Sequence, residues 1–167
     1  MISDTELKQK FETLSNKLKV GLFEDVVIES KTLLKKRKHE VIFNILCIAY
    51  QNLGKFLEAI EVMKQALQTN PKNPHFLNNM GTTQHKMGNY SRAEEYFTKG
   101  LKIVPNYINI LNNLGNLKRD LDLTDEALNY YKKSLMINPN VIESLLNISI
   151  CYQSLGNFDE SKKYLNN

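Results

Sequence analysis

Side-chain amides are the groups in this sequence whose type and spacing could do chemistry. Leu77-Asn-Asn-Met-Gly81 and Leu111-Asn-Asn-Leu-Gly115 stand 34 residues apart, and Leu145-Leu-Asn-Ile-Ser149 follows after another 34 in the same frame. Asparagine therefore recurs in register at Asn79, Asn113 and Asn147, with Asn78 and Asn112 beside the first two. One frame earlier Ile45 breaks the series, although Asn44 sits next to it. A neutral amide donates and accepts in one plane, so it can pair with the N–H and C=O of an extended peptide backbone, whatever the peptide's sequence. That chemistry is recognition rather than bond breaking.

Groups arranged for catalysis are missing. The chain has no P-loop, G-x-S-x-G, H-E-x-x-H or paired C-x-x-C pattern. His39, His75 and His85 are the only histidines. His75 and His85 fall on one expected helix about 15 Å apart along its axis, too far to share a metal ion. Cys47 and Cys151 lie inside apolar helical patterns, which suits small core residues in a reducing compartment. Glu94-Glu95 and Asp125-Glu126 stand near the starts of expected helices, where acids complement the helix dipole. Tyr96-Phe97 and Tyr130-Tyr131 could suggest base stacking, but Phe97 and Tyr131 share one repeat position and are expected in the core. The reading is of a non-enzymatic chain with no cofactor and no metal.

The elements that must position the amides follow from composition and period. The 167 residues are 42% hydrophobic and 24% charged, enough for a core, and only seven Gly and four Pro leave little room for the turns of a β fold. Anchors recur every 34 residues: Pro71, Pro105 and Pro139; Ala59, Ala93, Ala127 and Ser161; Cys47, Gly81, Gly115 and Ser149. Gly54, Gly88 and Gly156 each precede an aromatic by two residues (Phe56, Tyr90, Phe158), and Gly21 with Phe23 extends that series backward. Asp122 occupies the glycine place in the remaining unit. Each unit parses as two helices about a glycine turn, as in Pro74 to Met87 and Tyr90 to Ile103, the second ending near a proline. Asn73 before Pro74 reads as an N-cap with proline at the first helical position, and Ser3-Asp-Thr-Glu6 has capping-box spacing. The small residues predict close helix crossings, with Gly115 expected to meet Ala127.

This combination resembles the tetratricopeptide repeat family, whose 34-residue helix-turn-helix carries small residues on both helices, an aromatic on the second and a closing proline. The resemblance covers 40–73, 74–107 and 108–141 as whole repeats, 7–39 as a degenerate repeat and 142–167 as a truncated one. Phe97 and Tyr131 fill the aromatic place, and Met63 departs from it. It implies an all-α fold, a single right-handed solenoid of antiparallel helix pairs over 1–167, in which first helices line a concave groove. On the helix from Ile108, Leu111, Leu114, Gly115 and Lys118 form the packing stripe, and Asn109, Asn112, Asn113, Asn116 and Asp120 fall opposite. The repeats LNNLGNLKRD and EALNYYKKSL are similar to those of the tetratricopeptide superhelix of protein O-GlcNAc transferases. That likeness implies an asparagine ladder of Asn79, Asn113 and Asn147 holding a peptide backbone. Asn78, Asn112, Asn116, Asn44, Thr82, Lys86 and Arg119 would tune side-chain preference. Helices about 8–10 Å apart and a strand rise of about 3.3 Å place one rung at roughly every third peptide residue. The family's carboxylate clamp is not matched, because Asn44, Ile48 and Asn109 stand where its groups are needed.

Charge and hydropathy narrow the partners. The net charge of +4 is modest, and the one basic run, Lys35-Lys-Arg-Lys38, closes an expected helix where cations complement the dipole. Nucleic acid is therefore not an expected partner. No apolar run reaches the length of a membrane span or signal peptide, so no membrane partner is expected and the location is expected to be cytoplasmic. The expected function is a protein–protein interaction module with a protein or peptide ligand in its groove. Two alternatives accompany it. One is the substrate-recruiting amino-terminal arm of a larger enzyme, a glycosyltransferase or sulfotransferase, with the chain as the first part of something longer. The other is a self-assembling scaffold, because ESKKYLNN is too short to cap the last apolar face and would leave it open to self-association.

Overall fold

Gly21, Gly54, Gly88 and Gly156 adopt φ values of 81, 68, 77 and 72°, so each expected glycine turn is a left-handed helix stop. Phe23, Phe56, Tyr90 and Phe158 then open the following helices. Asp122 makes the same turn with φ 59°, a conformation that a short polar side chain tolerates better than most. The computed structural model describes residues 3–165, and no strand occurs among them. Its helices are α1 (Asp4–Lys19), α2 (Phe23–Lys36), α3 (Glu40–Asn52), α4 (Phe56–Thr69), α5 (Pro74–Lys86), α6 (Tyr90–Ile103), α7 (Ile108–Asp120), α8 (Thr124–Ile137), α9 (Ile142–Ser154) and α10 (Phe158–Leu165).

The caps follow the sequence with one addition. Ser3 accepts a hydrogen bond from the Glu6 amide at 3.2 Å, and Asn73 accepts one from the His75 amide at 2.9 Å with Pro74 at the first helical position. The addition is His39, whose Nδ1 accepts from the Val41 amide at 3.2 Å and caps α3. The basic run ends α2 as expected: Lys35 and Lys36 lie in its last turn, and Arg37 pairs with Asp4.

The chain forms two compact units, Met1–Gly88 and Asn89–Asn167. In the first, α3 packs against α1, α2, α4 and α5. Leu7, Leu14, Val26, Leu33, Ile42, Ile45 and Ala49 form its core cluster, so the residue that interrupts the asparagine series is a core side chain. Burying each large aliphatic here is worth about 1.5–3 kcal/mol. Residues 7–39, degenerate by motif, still supply α2 and most of α1.

In the second unit, Phe97 of α6 packs with Ile110, Leu114 and Leu117 of α7, and Tyr131 of α8 packs with Ile148 and Cys151 of α9. Both aromatics thus lie in the core positions expected of them. Lys118, on the packing stripe, keeps only 8% of its surface and is held by Glu94 at 2.8 Å and Glu126 at 3.1 Å. Its bond to Glu94 raises its pKa above the ordinary lysine value.

The notch at Gly115 is filled by a ring. A Cβ built there would lie 2.4 Å from Tyr131 Cε1, so the nearest group is the Tyr131 ring, one turn beyond the expected Ala127. Tyr131 is fully buried and cannot swing aside. Gly115→Ala should therefore destabilise the protein by about 1–2 kcal/mol in urea unfolding, the overpacking cost exceeding the gain in helix propensity.

Candidate peptide-binding faces

Two clusters of amides emerge, one in each unit. In the first unit α3 and α5 lie side by side, and Asn79 Nδ2 donates to Asn44 Oδ1 at 2.9 Å. Both residues are half-buried. The bond uses one N–H of Asn79 and one lone pair of Asn44. The Asn44 side-chain NH2 and the Asn79 side-chain oxygen Oδ1 take no partner among the described residues. Beneath them Gln51 Nε2 donates to Asn79 O at 3.1 Å and to Thr83 Oγ1 at 2.8 Å, which fixes α3 against α5. On the same helix as Asn79, Asn78 and Thr82 are half-buried and Lys86 is exposed.

The second unit carries a longer network. Asn147 Nδ2 donates to Asn116 Oδ1 at 3.0 Å, and Arg119 Nη1 donates to Asn147 Oδ1 at 2.8 Å. The Tyr131 hydroxyl donates to the same Asn116 oxygen at 2.7 Å, and Asn116 Nδ2 reaches Glu143 Oε1 at 3.4 Å. Burial pushes the Tyr131 hydroxyl well above the usual tyrosine range, so it stays a neutral donor. An amide offers two N–H donors and two lone pairs. Asn147 therefore keeps one of each beyond these bonds, while both lone pairs of Asn116 are engaged. Asn113 is half-buried in the same register.

Asn112 departs from expectation. It retains 2% of its surface, and its Oδ1 lies 2.6 Å from Ser144 Oγ, which in turn lies 2.8 Å from Ser134 Oγ. It therefore points into the seam between α7, α8 and α9 and presents nothing to a ligand. The reason is geometric: α9 packs alongside α7, so the strip of α7 open to solvent is narrower than the whole side opposite its apolar stripe. The sequence also gave no warning of Gln51, Tyr131 or Ser144 as supports of the amides. Gln51 and Ser144 repeat at no fixed spacing with their partners' types, and Tyr131 was visible only as a packing residue.

Models of the tetratricopeptide repeat match residues 53–117, 108–141 and 142–167. The chain belongs to the tetratricopeptide repeat family. A search of curated proteins gave no significant match. Among solved structures, this tetratricopeptide chain is similar to PilF of Pseudomonas aeruginosa, with 18% identity and a TM-score of 0.79 over 95% of this chain and 73% of that one. It is also similar to BtubC of P. vanneervenii, with 19% identity and a TM-score of 0.76 over 97% and 78%. MamA of Desulfovibrio magneticus RS-1 gives 15% identity and a TM-score of 0.70 over 99% and 94%. At such identities the likeness is one of all-α fold. The family rests on the repeat models, and neither they nor the solved structures show the narrower resemblance to O-GlcNAc transferases.

Among the described residues no group of three His, Cys, Asp or Glu could hold a metal, and no helix is long and apolar enough to cross a membrane. Both cysteines are free and buried. Burial pushes the Cys47 thiol up to about 12, with Thr83 as its polar neighbour.

Because Asn112 works inside the seam, Asn112→Ala should lower stability by about 1–3 kcal/mol, the cost of a lost buried partner. It should leave capture of peptides unchanged, as read by binding assays on the folded variant.

Proposed function

We propose that this tetratricopeptide protein holds an extended segment of a protein partner through side-chain amides on its first helices. The observation that supports this best is the Asn44–Asn79 pair. One internal bond orients both amides and leaves an NH2 on α3 and a carbonyl oxygen on α5 for a ligand. An extended backbone offers the complementary C=O and N–H, and contacts of this kind ignore the ligand's side chains. In the second unit Asn147 is oriented the same way by Asn116 and Arg119 and retains a donor and an acceptor. Asn113 shares the 34-residue sequence period of Asn79 and Asn147, and Asn78, Thr82, Lys86 and Arg119 bias the choice of side chains. The ladder resembles that of the O-GlcNAc transferases in these amides alone, and Ile45 shortens it.

The test is an array of unrelated extended peptides probed with the wild-type chain and with a variant carrying Asn79→Ala, Asn113→Ala and Asn147→Ala. Circular dichroism and thermal melting must first show that both are folded. Losing two or three backbone contacts of about 1 kcal/mol each should weaken binding about thirty- to a hundredfold. Equal binding by the two proteins would leave the amides as ties between helices only.

A second reading, self-assembly, is favoured by α9. Ile142, Leu146 and Ile150, spaced as one helical stripe, remain 71%, 47% and 48% exposed. An unbroken apolar strip of this kind suits a helix of a second copy. Light scattering should then show mass rising with concentration, and Leu146→Lys with Ile150→Lys should return the protein to monomer. A wild type that stays monomeric across the range would remove this reading.

A further inference from the structure

The first unit has a second concave feature on the opposite side of α3 from its amides. Phe43, Leu46 and Tyr50 lie on one stripe of α3, and at 100° per residue Asn44 and Ile48 lie about 150° around the helix from that stripe. Helices α2 and α4 pack on α3 and not on each other. The gap between them is a cavity of about 470 Å³ floored by Phe43, Leu46, Tyr50 and Val62. That volume lies within the range of ligand pockets, roughly 300–1,000 Å³, and an apolar floor with a few polar groups at the rim is their usual lining.

The rim is divided by charge. Lys31, Lys35 and Lys38 stand along the α2 side, and Glu58 and Glu61 along the α4 side. Lys35 and Lys38 make no ion pair among the described residues, and Lys31 sits over the Tyr50 ring at 5.5 Å, leaving its charge at the mouth. On the acidic side Glu61 is drawn to Lys64 at 3.9 Å. The basic run that closes α2 thus does more than complement a helix dipole. It lines one edge of an apolar slot with cations that the fold itself does not neutralise.

We propose that this slot is a docking site for acidic protein segments that present bulky apolar side chains. The apolar side chains enter between α2 and α4 and rest on Leu34, Val62 and the narrow exposed edges of Phe43, Leu46 and Tyr50. Carboxylates flanking them pair with Lys31, Lys35 and Lys38. Glu58 and Glu61 repel carboxylates from the other edge, so the segment's acidic side faces α2 and its orientation is fixed. The site takes its ligand by apolar anchor and charge, whereas the amides take a backbone, so one protein can hold two segments of different chemistry.

The experiment uses the full chain and a fluorescein-labelled acidic peptide of about twelve residues, with Leu and Phe one helical turn apart as anchors. Two controls replace the anchors with Ser or every Glu with Gln. Fluorescence anisotropy should show salt-sensitive binding of the first peptide and at least about tenfold weaker binding of both controls. Lys35→Glu with Lys38→Glu should produce a similar loss, as should the milder Lys35→Gln with Lys38→Gln if charge reversal unsettles α2. Lys35→Gln with Lys38→Gln should leave the binding of an uncharged, anchor-free extended peptide as it is in the wild type, which separates this site from the amide face. Methyl resonances of Leu34, Leu46 and Val62 should shift on titration. Equal binding of the anchor-free peptide, equal binding by the lysine variants, or unmoved methyl resonances would each overturn the proposal. So would tighter capture of single-stranded RNA or anionic vesicles by the same lysines.

Discussion

The close approach of the Tyr131 ring to Gly115 sets the arrangement of polar groups in the second unit. With no Cβ on α7 at that point, the ring lies flat against the helix and its hydroxyl reaches past it to Asn116. Asn116 is thereby turned so that its oxygen also receives Asn147, and Asn147 in turn receives Arg119. An apolar packing requirement fixes the ring, and the ring fixes a chain of hydrogen bonds that ends on the open face. Each later bond costs little conformational entropy because its predecessor is already placed. The repeat's small residue is therefore also what orients the amides.

The first unit reaches a similar result by another route. Ile45 stands where an amide would be, and it joins the core with Ile42 and Ala49. The neighbouring Asn44 takes over as acceptor for Asn79, while Gln51 ties the two helices from below. The same fold tolerates this exchange because any two positions that face each other across adjacent first helices can carry the pair. Polar contact between first helices is retained in both units, with different residues supplying it.

The helices, turns and caps were legible because they depend on residues close in sequence. Glycine with an aromatic two places on, Asn73 before Pro74 and Ser3 three before Glu6 all declare local geometry, and even Asp122 adopts the glycine turn. The core was legible from the 34-residue period, which identified Phe97 and Tyr131 correctly. Exposure of the amides was harder to read. Whether Asn112 or Asn113 meets solvent depends on how α9 sits against α7, a contact between residues 32 positions apart that no pattern within one helix encodes. For the same reason the division of Lys31, Lys35 and Lys38 from Glu58 and Glu61 across one gap could not be seen in a list of charges. It needs α2 and α4 to be held apart on α3.

In each unit an amide on one first helix is tied to its neighbour by a hydrogen bond a few ångströms from the amide atoms proposed to meet a ligand. The spacing of those atoms is set by the same bond that holds the two helices together. A force that slides one helix along the other must therefore stretch the tie and shift the proposed ligand seat at once. Within a unit, such a stack would behave as a spring whose stiffness would depend on whether the proposed peptide site is filled.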